Sequence, residues 1–173
     1  LNGDAGPVFD LGTLAAIVSS AHALGLPVVA HVQGEGMMRL ALDAEVDSLA
    51  HAPFSEWLDG ASIARARATG QRWISTLSIH DGVDAERAAI NLATFAAAGG
   101  TVLYGTDLGN GERPGGIQED ELRSLDAAGV RGAALIAALT DPWPLGESPH
   151  GVSTFVPGAG PADLDAVPAW LAG

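Results

Sequence analysis

The sequence contains no cysteine and no lysine, and each absence limits what the chain can do. Without cysteine it forms no disulfide and offers no thiolate to a metal ion, which excludes a disulfide scaffold and a cysteine-based zinc site. The lack of cysteine also favours a cytoplasmic location, because disulfides are rare in that compartment. No apolar run is long enough to cross a bilayer.

Basic residues are few, and all of them are arginine. The 173 residues include 8 basic and 21 acidic side chains, which give a formal net charge of -13. This charge repels nucleic-acid phosphates and anionic lipid headgroups, so we expect no nucleic acid and no membrane among the partners. The hydrophobic content of 47% is enough for one compact core.

Four segments of the chain repeat one design, in which a helical stretch and a break precede a short apolar run that ends in polar residues. The apolar runs occupy 27–31, 47–51, 72–76 and 101–107. Short apolar strands separated by helices are typical of a parallel sheet. The sequence therefore predicts an α/β fold, and both half of an eight-stranded barrel and a small doubly wound sheet fit four such units.

Apolar periodicity and turn residues predict the individual elements. Residues 1–10 are expected to form a loop. The expected helices cover 11–24, 35–44, 55–69, 84–98, 117–128 and 131–140, and the expected strands cover 27–31, 47–51, 72–77 and 101–106. After Pro142 the chain is dense in proline, glycine and serine, which indicates a linker and a fragmentary appendage.

Two of the apolar runs end in histidine and one ends in aspartate, at His31, His51 and Asp107. The carboxyl ends of parallel strands lie on one face of a sheet, so we expect these side chains to meet. Two imidazoles and a carboxylate can bind a divalent metal and leave a position open for water. Each residue alone also fits a structural role, as a hydrogen-bonded buried histidine or as a turn-stabilising aspartate.

Three further residues are candidates for contacting a polar substrate. His80 follows the third strand on the same predicted face, and Asn110 and Arg113 lie in the Gly-rich loop 108–116. Loops at such a face often carry binding residues, and a plain solvated loop is the alternative explanation for all three.

The strand-end residues, in their order and spacing, resemble a known family. The segments 28–31, 44–51 and 102–107 resemble the second half of an amidohydrolase-superfamily enzyme, in particular of its imidazolonepropionase-related branch. The stretches 116–123, 127–129 and 137–140 are similar to the helices that follow the last strand of that family. Residues 145–164 resemble the return of its chain into a small β-sandwich.

The resemblance implies the C-terminal half of a (β/α)8 TIM-type barrel over residues 1–146 and a fragment of the appended domain over 147–173. It also implies a divalent metal, usually zinc, with His31, His51 and Asp107 as ligands at the ends of strands five, six and eight. Asp107 would additionally take the proton from the attacking water. The implied reaction is hydrolysis of a carbon–nitrogen bond in a small-molecule amide, cyclic amide or dipeptide.

Two motifs of that family are absent from the sequence, namely a His-x-His on strand one and a lysine on strand four. We therefore expect a piece of a longer enzyme that is inactive alone. The alternatives are a non-catalytic truncated half-barrel and a small doubly wound ligand-binding domain. Half a barrel has two open sheet edges, so we also expect a homo-oligomer, with the apolar side chains of 101–106 exposed.

Overall fold

The computed structural model describes residues 1–109, 116–144, 146 and 158–172 of the chain. Four short strands form one parallel sheet, namely β1 (Val29–Ala30), β2 (Ser48–Leu49), β3 (Arg72–Ile74) and β4 (Thr101–Leu103). Their order across the sheet is β1-β2-β3-β4, so strands that follow one another in sequence are neighbours in space. The prediction of an α/β fold with four parallel strands is confirmed.

Helices connect and follow the strands in the described part of the chain. They are α1 (Leu11–Ala23), α2 (Met37–Asp43), α3 (Gly60–Ala68), α4 (Gly82–Ala97), α5 (Glu119–Ala127), α6 (Ala133–Thr140) and α7 (Val167–Ala172). Single 3₁₀ turns occupy Leu77–Ile79 and Leu164–Ala166. None of the described helices has the length and apolar character of a membrane span.

Side-chain caps explain where two of the helices begin. Asp10 accepts a hydrogen bond from the Thr13 amide at 2.7 Å and caps α1, and Asp59 does the same for α3 through the Ser62 amide at 2.7 Å. Each cap satisfies an amide that has no partner within the first helical turn. Gly25, at a φ of 70°, follows α1 and reverses the chain toward β1.

The core lies between the sheet and the helices. Leu49, Trp73 and Val102 occupy neighbouring register positions on β2, β3 and β4, and all three are buried. The Trp73 ring stacks on Phe95 of α4 with a centroid distance of 3.9 Å. Alternate residues of a strand point to opposite faces, so this packing assigns one face of the sheet to the helices.

The strand order bears on the doubly wound alternative. A doubly wound sheet reverses its strand order at a switch point, and the ligand binds where that reversal occurs. The four described strands run in sequence order with no reversal. The four described strands therefore lack the reversal on which the doubly wound alternative depends.

Residues 1–10 contain no helix or strand, as expected, and Asn2 adds one isolated parallel bridge to Gln33 beside β1. The expectation of exposed apolar side chains at 101–106 is wrong. On the other edge, Val102 and Leu103 are buried rather than exposed, at 8% and 7% exposure. Both α4 and α6 contact β4, and the Ala138 carbonyl of α6 accepts a hydrogen bond from the Tyr104 amide at 2.9 Å.

The C-terminal helix α7 packs against α5, and its Val167 is buried at 2% exposure. The expected fragment of an appended domain therefore includes a segment that contacts the strand-and-helix core. The division of the chain into 1–146 and 147–173 stays a prediction.

Candidate metal centre

His31 and His51 lie together at the carboxyl end of the sheet. His31 directly follows β1, and His51 stands two residues after β2, which is the neighbouring strand. Their ring centroids are 5.0 Å apart and the rings meet edge to face at 84°. Both side chains are half-buried. The structure thus brings together two imidazoles that are separated by twenty positions in the sequence.

Each of the two rings has one nitrogen held by an oxygen. His31 Nε2 lies 3.2 Å from Gln33 Oε1, and His51 Nδ1 lies 2.8 Å from Thr76 Oγ1. A metal-binding histidine typically has its second ring nitrogen held in this way by an oxygen. The arrangement leaves Nδ1 of His31 and Nε2 of His51 as the nitrogens that can bind a metal.

Thr76 is held at His51 by a tight turn at the end of β3. It has a φ of 44°, in the left-handed region that a β-branched residue rarely adopts. The Thr76 amide donates to the Gly105 carbonyl at 3.1 Å, which ties the turn to the segment after β4. The hydrogen bonds of the Thr76 hydroxyl and amide hold the turn in this strained backbone conformation.

The side chain of Glu121, from α5, holds the residues that follow Thr76. Glu121 is fully buried and accepts hydrogen bonds from the Leu77 amide at 3.0 Å and the Ser78 amide at 2.8 Å. A buried carboxylate is tolerated where it receives such bonds. Glu121 therefore fixes the turn that carries the Thr76 hydroxyl.

His80 lies beside the histidine pair and packs on Phe54. The His80 and Phe54 ring centroids are 4.2 Å apart, and the His80 and His51 centroids are 6.3 Å apart. The Nε2 atom of His80 is buried and has no hydrogen-bond partner within the described residues. Its predicted contact with a substrate stays a prediction.

Asp107 stands four residues after β4, with a φ of 48°. Burial lowers the pKa of His51, the nearby His31 lowers it further, and the charge of Asp107 acts to raise it. Burial also lowers the pKa of His80, and the nearby His51 lowers it further. The carboxylates of Asp84, Asp107 and Asp81 act to raise the pKa of His80. Asp107 is therefore close enough to both histidines for its charge to act on them.

The donor set fits part of a zinc site. Zinc binds imidazole nitrogens and carboxylates, and a catalytic zinc usually has three protein ligands. Within the described residues, no group of three or more His, Cys, Asp or Glu side chains is placed to hold a metal ion. The His31–His51 pair thus offers two nitrogen donors, and the predicted role of Asp107 as third ligand and as base stays a prediction. Asn110 and Arg113 lie outside the described residues, and so do their predicted roles.

The sequence patterns did not reveal Gln33, Thr76 and Glu121 as parts of the site. Thr76 falls within a segment expected to be strand, and Glu121 falls in the acidic stretch 119–121, which has the composition of a solvated helix start. Of these three residues, only Gln33 could have been found from the sequence, because it stands two residues after a strand-end histidine.

The chain matches no protein-family model and no curated protein. Among solved structures it is similar to the crystal structure of A. niger ochratoxinase, with a TM-score of 0.64 and 24% identity. It is also similar to a Xaa-Pro dipeptidase with bound methionine in the active site, with a TM-score of 0.63 and 20% identity. Each similarity covers 79% of this chain, which spans 34% and 37% of those two chains. The chain therefore has the fold of about a third of each of these enzymes.

Proposed function

We propose that this chain is part of a metal-dependent hydrolase of the amidohydrolase type, which cleaves carbon–nitrogen bonds with a metal-activated water. The observation that carries the proposal is the pair His31 and His51, whose rings lie 5.0 Å apart at the ends of adjacent parallel strands. The similarity in fold to an ochratoxinase and to a Xaa-Pro dipeptidase supports the same reaction class. The substrate would be a small-molecule amide, cyclic amide or dipeptide.

In this proposal, residues 1–146 form the C-terminal half of a (β/α)8 barrel and residues 147–173 belong to an appended domain. The sequential strand order supports the half-barrel, because a barrel adds each strand next to the previous one. The strand-end motifs alone support the imidazolonepropionase-related branch, and the lack of cysteine supports a cytoplasmic location.

The chain's residues have distinct roles in this proposal. His31 would bind zinc through Nδ1 and His51 through Nε2, since their other ring nitrogens face Gln33 and Thr76. A bound zinc lowers the pKa of a water ligand toward neutrality. Asp107 would be a further ligand and would accept the proton of that water on its carboxylate. His80, Asn110 and Arg113 would contact the substrate.

A second candidate is a non-catalytic half-barrel that binds metal weakly. It is favoured by one observation, namely that the described residues hold two histidine donors but no three-ligand group. The reading frame that encodes the chain separates the two candidates. An upstream His-x-His motif and a strand-end lysine support the enzyme, whereas a frame without them supports the non-catalytic half-barrel.

Calorimetric titration with zinc tests the proposed metal centre. Loss of an oxygen that orients a zinc ligand already costs about ten-fold in affinity, so His31→Ala and His51→Ala should each cost more than that. The matched control is His22→Ala. The His22 ring contacts the Asp47 carboxylate, with Nε2 and Oδ2 2.8 Å apart. Asp47 directly precedes β2 and therefore lies at the opposite end of that strand from His51. An unmodified chain that binds no zinc, or equal losses in all three variants, would contradict the proposal.

A further inference from the structure

The side chain of Gln33 contacts one of the two ring nitrogens of His31. The Gln33 side chain places Oε1 3.2 Å from His31 Nε2. An amide oxygen accepts hydrogen bonds and does not donate them, so His31 Nε2 carries the hydrogen in this contact. The neutral ring then has its lone pair on Nδ1. The opposite tautomer would turn a nitrogen lone pair toward the Gln33 oxygen, which is repulsive.

Asn2 keeps the Gln33 amide in this orientation. Asn2 Nδ2 donates to the same Gln33 oxygen at 2.9 Å. A rotated Gln33 amide would set its own NH2 group against that of Asn2 and lose the hydrogen bond from Asn2. The backbone fixes the distance between the two side chains, because the Gly3 amide donates to the Gln33 carbonyl at 2.9 Å and the Gln33 amide donates to the Leu1 carbonyl at 2.8 Å.

We propose that Gln33 is a positioning residue that holds His31 in the Nε2–H tautomer and thereby selects Nδ1 as its metal-binding nitrogen. The selection of a metal-binding atom rests on the proposed function, whereas the tautomer can be measured without any metal. Oxygen acceptors next to ligating histidines fix both tautomer and ring orientation. Gln33 has this role for His31. The Thr76 hydroxyl also contacts a ring nitrogen of His51, but a hydroxyl can donate or accept and therefore orients the ring without selecting its tautomer.

Nitrogen-15 NMR of the metal-free full chain, labelled at histidine, tests the inference. The spectra are recorded at about pH 8.5, well above the ordinary pKa of an imidazole, about 6.5. His31 in the unmodified chain should show one protonated nitrogen, Nε2, and one unprotonated nitrogen, Nδ1. In Gln33→Leu the two signals should move toward each other as both tautomers become populated. Gln33→Glu retains an oxygen acceptor and should restore the original signals. The His51 signals are the internal control and should not move.

Zinc titration of the same variants tests the consequence for metal binding. We expect Gln33→Leu to weaken zinc binding by about ten-fold, and Gln33→Glu to retain it. His31 signals that are identical in the unmodified chain and in Gln33→Leu would overturn the inference. If the tautomer shifts as expected but the unmodified chain binds no zinc, the positioning role of Gln33 stands and the proposed metal-dependent function fails.

Discussion

The imidazole of His51 and the hydroxyl of Thr76 lie 2.8 Å apart, Nδ1 to Oγ1, across the carboxyl ends of the neighbouring strands β2 and β3. Thr76 reaches this position through a left-handed backbone conformation. The Glu121 carboxylate holds the next two amides and stabilises the turn. A buried acid on α5 is thus connected, through a strained turn, to the orientation of a candidate metal ligand.

Replacement of Thr76 by valine should weaken zinc binding without unfolding the chain. Valine has nearly the same shape as threonine but lacks the hydroxyl, so it leaves His51 Nδ1 without this partner. We expect a loss of about ten-fold in zinc affinity, the usual cost of losing an oxygen next to a zinc ligand. Thr76→Ser retains the hydroxyl and should bind zinc as the unmodified chain does. Equal affinities for the valine and serine variants would show that the hydroxyl does not orient His51.

Replacement of Glu121 by alanine should destabilise the fold. The Leu77 and Ser78 amides would lose their carboxylate acceptor. For the buried Leu77 amide alone, the loss of this acceptor costs about 1–3 kcal/mol in the free energy of unfolding. Urea denaturation measures this change. The matched control is Glu119→Gln on the same helix, because Glu119 is exposed and pairs with Arg123, a kind of contact worth less than about 1 kcal/mol. Similar losses in the two variants would contradict the role assigned to Glu121.

Stability should fall as the pH is lowered through the histidine range. Burial lowers the pKa of both His51 and His80 in the folded chain. Both imidazoles therefore bind a proton more readily in the unfolded chain than in the folded chain. The free energy of unfolding should therefore decrease as the pH falls through about 6.5, the ordinary histidine value. Urea midpoints measured from neutral to mildly acidic pH test this, and His80→Gln should reduce the decrease. A midpoint that is constant or rises on acidification through this range would contradict the account.

The architecture could be predicted from the sequence because its signals are local. Apolar runs bounded by glycine or acidic residues indicated the four strands, and apolar periodicity indicated the helices between them. The proximity of His31 and His51 followed from one general rule, that parallel strands end on the same face.

The supporting contacts could not be predicted in this way, because they join distant residues through specific side-chain conformations. Thr76 meets His51 across 25 positions, and Glu121 meets Leu77 across 44 positions. The left-handed turn at Thr76 contradicts the preference of a β-branched residue, so local propensity predicted strand there. The buried side chain of Glu121 likewise contradicts its acidic surroundings in the sequence.

We expect the purified chain to self-associate through the side of the sheet that carries β1. Large apolar side chains are exposed on α1, on β1 and on the segments next to them, with Leu24 at 76%, and the others are Phe9, Leu11, Ile17, Leu26 and Val29. Sedimentation at micromolar concentration should show dimers or larger species. Leu24→Glu should shift the chain toward monomer, while Ile136→Glu, on α6, should not. A cooperatively folding monomer of the unmodified chain would contradict this prediction.

X-ray absorption at the zinc edge of the zinc-loaded chain tests the central claim, that His31 and His51 bind one metal together. We predict zinc–nitrogen distances of about 2.0–2.1 Å and the outer-shell scattering of two imidazoles. In His51→Ala, measured at a zinc concentration that still loads the site, the scattering should correspond to one imidazole, and in His22→Ala it should remain that of two. A spectrum that does not change between the unmodified chain and His51→Ala would show that the histidine pair is not the metal centre.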